Sequence, residues 1–309
     1  MGVGSVALYP LRVRADLHTH SRRSDGTDSP AGVMHAAVAA GLDLVALTDH
    51  DSAAGWSEAA TAAREAGIAF LPGMEISCVL EGRTVHLLAY GVDPDHAGLR
   101  TELLGVLARR TSRLPAILSR LHTLGVTVSE QDVRAVSGDA TAVGRPHVAD
   151  ALVASGQVAN RTEAFDRYLS PGRPAYVNRR AAPLRAMLGL VADAGGVSVV
   201  AHPWARASRR VLTPDMVESL AADGLTGLEA WHRDHSAEDA AQLALLAGDL
   251  QLVATGASDY HGTGKVNHDL GCHTTPPAQL ELLLERMALA ADAARQRDPS
   301  VRPSPVVRG

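Results

Sequence analysis

The chain has little cysteine, almost no lysine and few aromatic residues. Its 309 residues include two cysteines, Cys78 and Cys272. Two thiols supply neither a disulfide framework nor a CxxC zinc site. Lys265 is the only lysine, so arginine carries the remaining basic charge. Aromatic residues make up 3% against 46% hydrophobic, which leaves Ala, Leu and Val to fill the core. The formal net charge of −5 gives no strongly basic surface for nucleic acid. No uninterrupted apolar run reaches membrane-spanning length. The opening segment, MGVGSVALYPLRVRADLHTH, lacks a basic start followed by an apolar run and a small-residue cleavage site. These absences predict a cytoplasmic protein with no membrane association, and no feature calls for an obligate protein partner.

What is present has a rhythm. Residues 12–20 read as a strand, 30–40 as a helix closed by Gly41, and 42–48 as a buried strand. A helix over 57–66 ends at Gly67, and strands follow over 68–76 and 84–90. Alternating strands and helices of this kind predict a mainly parallel sheet or barrel. From about 94 to 177 the pattern turns helical, with a long first stretch expected to kink or split at Pro115. The β-α alternation resumes and runs to a terminal helix over 277–294. The expected division is a barrel over 12–93 and 178–297, an inserted helical subdomain over 94–177, and a loose Pro-, Ser- and Arg-rich tail over 298–309.

The chemistry sits at strand ends. In Asp16-Leu-His18-Thr-His20 the two histidines are two residues apart, so a strand turns both imidazoles to one side. Paired imidazoles suit a divalent metal. The theme recurs in Thr48-Asp49-His50-Asp51, Gly73-Met-Glu75, His86, His202 and Ser258-Asp259-Tyr-His261. Strands of one parallel rhythm open their C-terminal ends on one face, so these residues meet in space. Asp25, before Gly26, reads either as an oxygen ligand or as a turn residue. Asp16, Asp49 and Asp51 read equally as groups that orient the imidazoles or as capping carboxylates. A lysine-bridged hydrolase site is disfavoured, because Lys265 is badly placed for it.

The ordered set DLHTHSRRSDG, LVALTDHD, FLPGMEIS, TVHLLAYG, VVAHP and GASDYHG resembles the PHP (polymerase and histidinol phosphatase) superfamily over nearly the whole chain. RPHVADALVASG and FDRYLSPGRPAYV are similar to the helical insert of its stand-alone members acting on nucleoside phosphates and short RNA ends. The resemblance implies an α/β fold, a distorted (β/α)7 barrel with an inserted helical subdomain. It implies two or three divalent ions, Mn²⁺, Fe²⁺ or Zn²⁺. His18 and His20 would hold one with Glu75 and Asp259. Glu75 would bridge to a second held by His86 and His202, and Asp25, His50 and His261 would hold a third. The implied catalyst is a metal-bridging hydroxide held by His18, His20, Glu75 and Asp259. Arg145, Arg173 and His235 are the expected substrate contacts, with Arg145 forking onto a phosphate. Tyr176, Trp231 and His232 lie in the same segments. His35, His96, His122, His268 and His273 read as outside the chemistry. The expected activity is hydrolysis of a phosphomonoester or phosphodiester of a nucleotide: a 3′,5′-bisphosphonucleoside, an AMP-like substrate or a short RNA 5′ end. Phosphatase action on histidinol phosphate, a cyclic phosphate or a specialised metabolite is the alternative.

Overall fold

The computed structural model of the chain describes residues 13–178, 181–205 and 208–309. Residue 12, where the first strand and the barrel are expected to begin, lies outside them. So do the residues of the opening segment before it. The elements run β1 (Ala15–Asp16), α1 (Pro30–Ala39), β2 (Leu44–Leu47), α2 (Trp56–Ala66), β3 (Ala69–Leu80), β4 (Arg83–Tyr90). Helices α3 (Ala97–Thr111), α4 (Leu114–Thr123), α5 (Glu130–Ser137), α6 (Arg145–Ala154) and α7 (Arg161–Ala164) follow. Then come β5 (Ala182–Pro183), α8 (Leu184–Asp193), β6 (Val197–Val200), α9 (Pro214–Ala222), β7 (Gly227–Trp231), α10 (Ala237–Asp249), β8 (Val253–Gly256) and α11 (Pro277–Arg297).

The strands form one sheet in the order β1-β2-β3-β4-β6-β7-β8, with β5 paired to β3. Thr19 bridges Tyr260, and the His20 amide donates to the Tyr260 carbonyl at 2.8 Å. The segments after β1 and β8 therefore meet, and the sheet becomes a distorted, nearly closed barrel ringed by helices. Pairings β1–β2–β3 and β6–β7–β8 are parallel, but β4 is antiparallel to both neighbours. The cause is local. Glu81 and Gly82 sit at φ 47° and 73°, the left-handed pair of a tight hairpin turn. Such a link is far too short for a parallel crossover.

Side chains alternate between two apolar layers along each strand. Leu44 and Ala46 join Leu17, Leu71, Leu88 and Tyr90 in one, while Val45 and Leu47 pack with Phe70, α1 and α2 in the other. Each fully buried Leu or Val contributes about 1.5–3 kcal/mol. A third apolar cluster stands apart and is built from α4 to α7 and the turns around them, from Leu114 to Ala175. The helical stretch is split ahead of Pro115, which stands in the first turn of α4 where its missing N–H costs nothing. By packing, α3 goes with the barrel: Leu99, Leu103 and Val106 join the barrel's outer layer.

The tail is not loose. Val307 and Phe70 exchange two backbone hydrogen bonds of 2.8 Å, and Ser304 N donates to Gly91 O at 2.9 Å. Asp93 accepts from Arg302 N, and Val301 is buried. Val307 pairs with Phe70 of β3 and Ser304 with Gly91, contacts that the Pro-, Ser- and Arg-rich composition concealed.

Candidate metal centre

Glu75 is the hub. Its Oε2 lies 3.5 Å from His18 Nε2, 3.3 Å from His20 Nε2 and 2.9 Å from His50 Nδ1. Its Oε1 lies 2.6 Å from His86 Nδ1 and 3.2 Å from His202 Nε2. The two oxygens thus face two different histidine sets. The hairpin explains His86. Ser77 pairs with His86 and Glu75 with Leu88, so all four side chains share one face. His86 therefore reaches the site from the start of a reversed strand, not from the C-terminal end of a parallel one.

Asp259 and Asp25 are the other two carboxylates. Asp259 Oδ1 is 3.6 Å from His18 Nε2, 3.5 Å from His20 Nε2 and 3.4 Å from His261 Nδ1. Asp25 lies 3.5 Å from His50 Nε2, 3.4 Å from His261 Nε2 and 3.7 Å from His20 Nδ1. Gly26 makes this loop possible, because a Cβ there would stand 2.4 Å from the His20 carbonyl oxygen. Asp25 stands in the turn before Gly26 and is buried at 4% exposure, with its carboxylate toward His50 and His261.

Four ligand groupings emerge among the expected residues, each with its atoms within 4.8 Å of one another. They are His18–His20–Asp259, His20–His50–Glu75, His20–Asp25–His261 and Glu75–His86–His202. His50 lies closer to Glu75, at 2.9 Å, than to Asp25, at 3.5 Å, and His20 belongs to three of the four groups.

The outer hydrogen bonds decide which ring nitrogens face inward. His18 Nδ1 donates to Glu229 Oε1 at 3.0 Å. His20 Nδ1 lies 3.3 Å from Ser24 Oγ, whose own proton goes to Asp49 Oδ1 at 2.6 Å. His261 Nδ1 donates to the Asp259 carbonyl at 2.8 Å. Burial opposes a charge on His18, but Glu229, Asp259 and Glu75 carry it well above its usual range, so in the metal-free chain its Nε2 proton points to the His20 Nε2 lone pair at 3.1 Å, beside two carboxylates. Among the described residues, buried Asp25 Oδ1 has no well-formed hydrogen bond, with His261 Nε2 3.4 Å away. Lone pairs and carboxylates turned to common points are unstable unless a cation lies between them, so this donor set fits divalent ions.

Charges follow the same logic. Burial works against ionising Glu75, but His86, His50 and His18 outweigh it and hold the carboxyl well below its usual range. Burial also opposes Asp25, and His50 and His261 hold it low. His50, despite burial, is carried up to about 10 by Asp25 and Glu75. Burial and the neighbouring His261 push His20 down to about 3, and burial takes His86 down to about 4. The carboxylates remain charged, and protons on some histidines supply the balancing positive charge.

Backbone strain marks two of these residues. His202 and Asp259 adopt φ 30° and 56°, conformations that cost a side-chain-bearing residue about 1–3 kcal/mol each. Their bonds hold them there: Glu229 Oε2 accepts from His202 N at 2.7 Å, and Asp259 Oδ2 accepts from His232 Nε2 at 3.2 Å.

Glu229 escaped the sequence reading, yet it orients both His18 and His202. Its signal was an acid inside the apolar strand Gly227–Trp231, where it is fully buried. Asp49 reaches an imidazole only through Ser24, and Asp51 binds Ser77 N and Oγ at 2.6 and 2.9 Å. Asp16 accepts from Ser258 N and Gly271 N, tying loops together, and burial raises it to about 6. His268, expected to lie outside the site, stands with His232 and Asp259 in a further grouping.

The expected substrate contacts are less uniform. Arg145 begins α6, donates to the Leu169 carbonyl at 3.0 Å and stacks between Phe165 and Tyr176. Arg173 is exposed in the turn after Leu169. Both nitrogens of His235 are used by backbone: Nδ1 donates to Ala230 O at 2.9 Å and Nε2 accepts from Trp204 N at 3.3 Å. His235 instead lines a cavity of about 330 Å³ with Trp231, His232 and His273.

A β/α barrel whose mouth gathers histidines around shared carboxylates is arranged to hold metal ions. The PHP domain model matches residues 16–136. The chain is 36% identical to the 3′,5′-nucleoside bisphosphate phosphatase of Chromobacterium violaceum, covering 84% of this chain and 90% of that one. It is 34% identical to the 5′-3′ exoribonuclease of Haemophilus influenzae, over 80% and 89%. A metal-dependent phosphoesterase structure from Bifidobacterium adolescentis superposes with a TM-score of 0.84 at 36% identity, covering 90% and 98%. The chain belongs to the PHP family and is a phosphoric ester hydrolase.

Proposed function

We propose that this chain hydrolyses a phosphate ester of a nucleotide that carries a second phosphate, a nucleoside 3′,5′-bisphosphate. The observation that carries this reading is a group of arginines beside the histidine cluster. Arg110 and Arg113 are 5% and 9% exposed. Arg110 Nη2 donates to Ser77 Oγ at 3.2 Å, on the face of β3 that carries Glu75, and its Nε stands 3.4 Å from Asp51 Oδ2. Arg113 Nη1 reaches the Val177 carbonyl at 3.4 Å. Burial, then the charges of Arg145 and Arg110, lower Arg113 to about 10. Neighbouring guanidinium groups that repel one another are stabilised by an anion, and planar forks suit phosphate. Ser77 pairs with His86 across β3 and β4, so Arg110 lies at the edge of the histidine cluster.

In this reading, divalent ions held by His18, His20, Glu75, Asp259, His86, His202, Asp25, His50 and His261 supply Lewis acidity and an activated water. Glu229 and Ser24 keep the inner imidazoles in the ligating tautomer. The arginines hold the phosphate that does not react and fix the ester against the centre. Histidinol phosphate fits less well, because it has one phosphate and a cationic amine that the arginines repel. A 5′-phosphorylated RNA end offers the same second phosphate, and the similarity to the exoribonuclease makes it the nearest further substrate.

Replacing Arg113 by Met removes one charge-assisted contact, worth about ten- to a hundredfold in kcat/KM on adenosine 3′,5′-bisphosphate. Hydrolysis of p-nitrophenyl phosphate, which has no second phosphate, changes little. Equal losses on both substrates would contradict the two-phosphate reading.

A further inference from the structure

Asp259 presents a different partner at each oxygen. Oδ1 faces His18, His20 and His261. Oδ2 accepts from His232 Nε2 at 3.2 Å and is also in short contact with Lys265 Nζ. The His232 assignment is fixed by its other nitrogen, which accepts from Asp234 N at 3.0 Å. His268 closes the pocket: its Nδ1 donates to the Ser258 carbonyl at 2.7 Å, and its ring lies 5.6 Å from that of His232. His232, Asp259 and His268 have the geometry of a cation site. The cation beside them is the chain's own ammonium, whose charge also helps to push His268 down to about 4 after burial.

Lys265 is one lysine among 29 Lys and Arg residues. A guanidinium is a broad planar fork, whereas an ammonium is a compact point charge with three donors. The one position at which this chain uses an ammonium is therefore against a carboxylate of the ligand set. Lys265 is 21% exposed, so it has a way out, and Val266 beside it is 73% exposed. A divalent ion drawn to Asp259 and an ammonium on the same carboxylate repel each other strongly at these distances. His232 would keep Oδ2 oriented after the lysine leaves.

Resting on the metal reading above, we propose that Lys265 is a tethered cation: it holds Asp259 in the metal-free chain, yields the carboxylate to a divalent ion, and then meets the phosphoryl oxygens at the mouth of the site. Lys265 is thus an anion contact that metal binding releases. It is distinct from the arginines, which hold the phosphate that does not react.

Because there is one lysine, ¹⁵N-lysine labelling gives one side-chain ammonium signal. In metal-stripped protein that signal is held by the ion pair and protected from solvent. Adding Zn²⁺ moves it or broadens it away by solvent exchange, and adding inorganic phosphate restores a protected signal at a new position. In parallel, K265M binds Zn²⁺ about tenfold more tightly in a chelator competition, because the internal competitor is gone. The Zn²⁺-loaded variant binds inorganic phosphate about tenfold more weakly. K265R, which keeps the charge but not the compact shape, retains most of the phosphate affinity. A lysine signal indifferent to Zn²⁺, with K265M no tighter for metal, overturns the exchange. Unchanged phosphate affinity in loaded K265M overturns the anion contact. If no histidine signal responds to Zn²⁺ in the unsubstituted chain, the metal reading falls and this one falls with it.

Discussion

The histidine cluster and the arginine group are made in different ways. The first is built mainly from strand ends, and the rings of His18, His20 and His261 are each fixed by a further bond, to Glu229, Ser24 or a backbone carbonyl. The second comes from the helical segment against the barrel, where Arg110 bonds Ser77, Ala142 and Asp51, Arg113 reaches the Val177 carbonyl, and the charges of Arg145 and Arg110 bear on Arg113. The strand-end group is arranged for ions that must sit within tenths of an ångström. The helix-borne group is arranged for a larger anion and tolerates some movement. In the proposed function, catalysis divides by region: the strands would carry the reacting bond and the helices substrate choice.

The sharpest way to break this division is to remove its hub. Glu75→Ala takes away the one side chain that faces both histidine sets, and phosphate release falls to background on every substrate together with metal content. Retained turnover in that variant would mean that the two sets work independently. A smaller effect is expected one bond further out. Glu229→Gln leaves the shape but weakens the hold on His18 and His202. Such outer partners are worth about 10- to 100-fold in metal affinity, so Mn²⁺ affinity should drop by that order while KM for the bisphosphate stays near its original value.

Acidity separates the regions again. In the metal-free chain His50 holds its proton up to about 10, so a ligating metal must displace it. Mn²⁺ affinity should therefore rise with pH, by up to about tenfold per unit for each proton displaced. The same raised value stabilises the metal-free fold, fully below the ordinary 6.5 and progressively less as pH climbs through about 10. His20 and His86, pushed down to about 3 and 4, are already neutral and add nothing to this dependence at neutral pH. The arginines stay charged throughout, so phosphate affinity in the loaded protein should vary far less. Titrating Mn²⁺ between pH 6 and 8 with a fluorescent competitor checks the metal dependence, and a flat profile would show that no proton is displaced.

The smallest effect is expected far from either cluster. Deleting 306–309 removes the two bonds between Val307 and Phe70. A loss of about 1–2 kcal/mol and a drop of a few degrees in melting temperature follow. Unchanged melting would mean that the tail adds nothing to the barrel.

The two regions also differ in how far sequence alone disclosed them. Pairs such as His18 and His20, two apart at the end of a strand, declare a shared side because strand periodicity is short and rigid. Their meeting with Glu75, His202 and Asp259 followed from the parallel rhythm. His86 was found for an incomplete reason, because nothing but the two-residue link at 81–82 marked its strand as reversed. Glu229 was missed because it resembles a stray acid until the strand around it is known to be buried. Arg110 and Arg113, three apart on neighbouring turns, look like an ordinary solvated helix face. Only the packing of the helical segment onto the barrel buries them. Lys265 stood out by being alone, but its partner was invisible, since Asp259 meets it through a loop.

The most direct test is phosphate release from adenosine 3′,5′-bisphosphate by chelator-stripped protein, before and after Mn²⁺ is restored, with histidinol phosphate measured beside it. The account predicts no release when stripped, recovery with Mn²⁺, and a strong preference for the bisphosphate. Equal or better turnover of histidinol phosphate, or release that survives stripping, would contradict it.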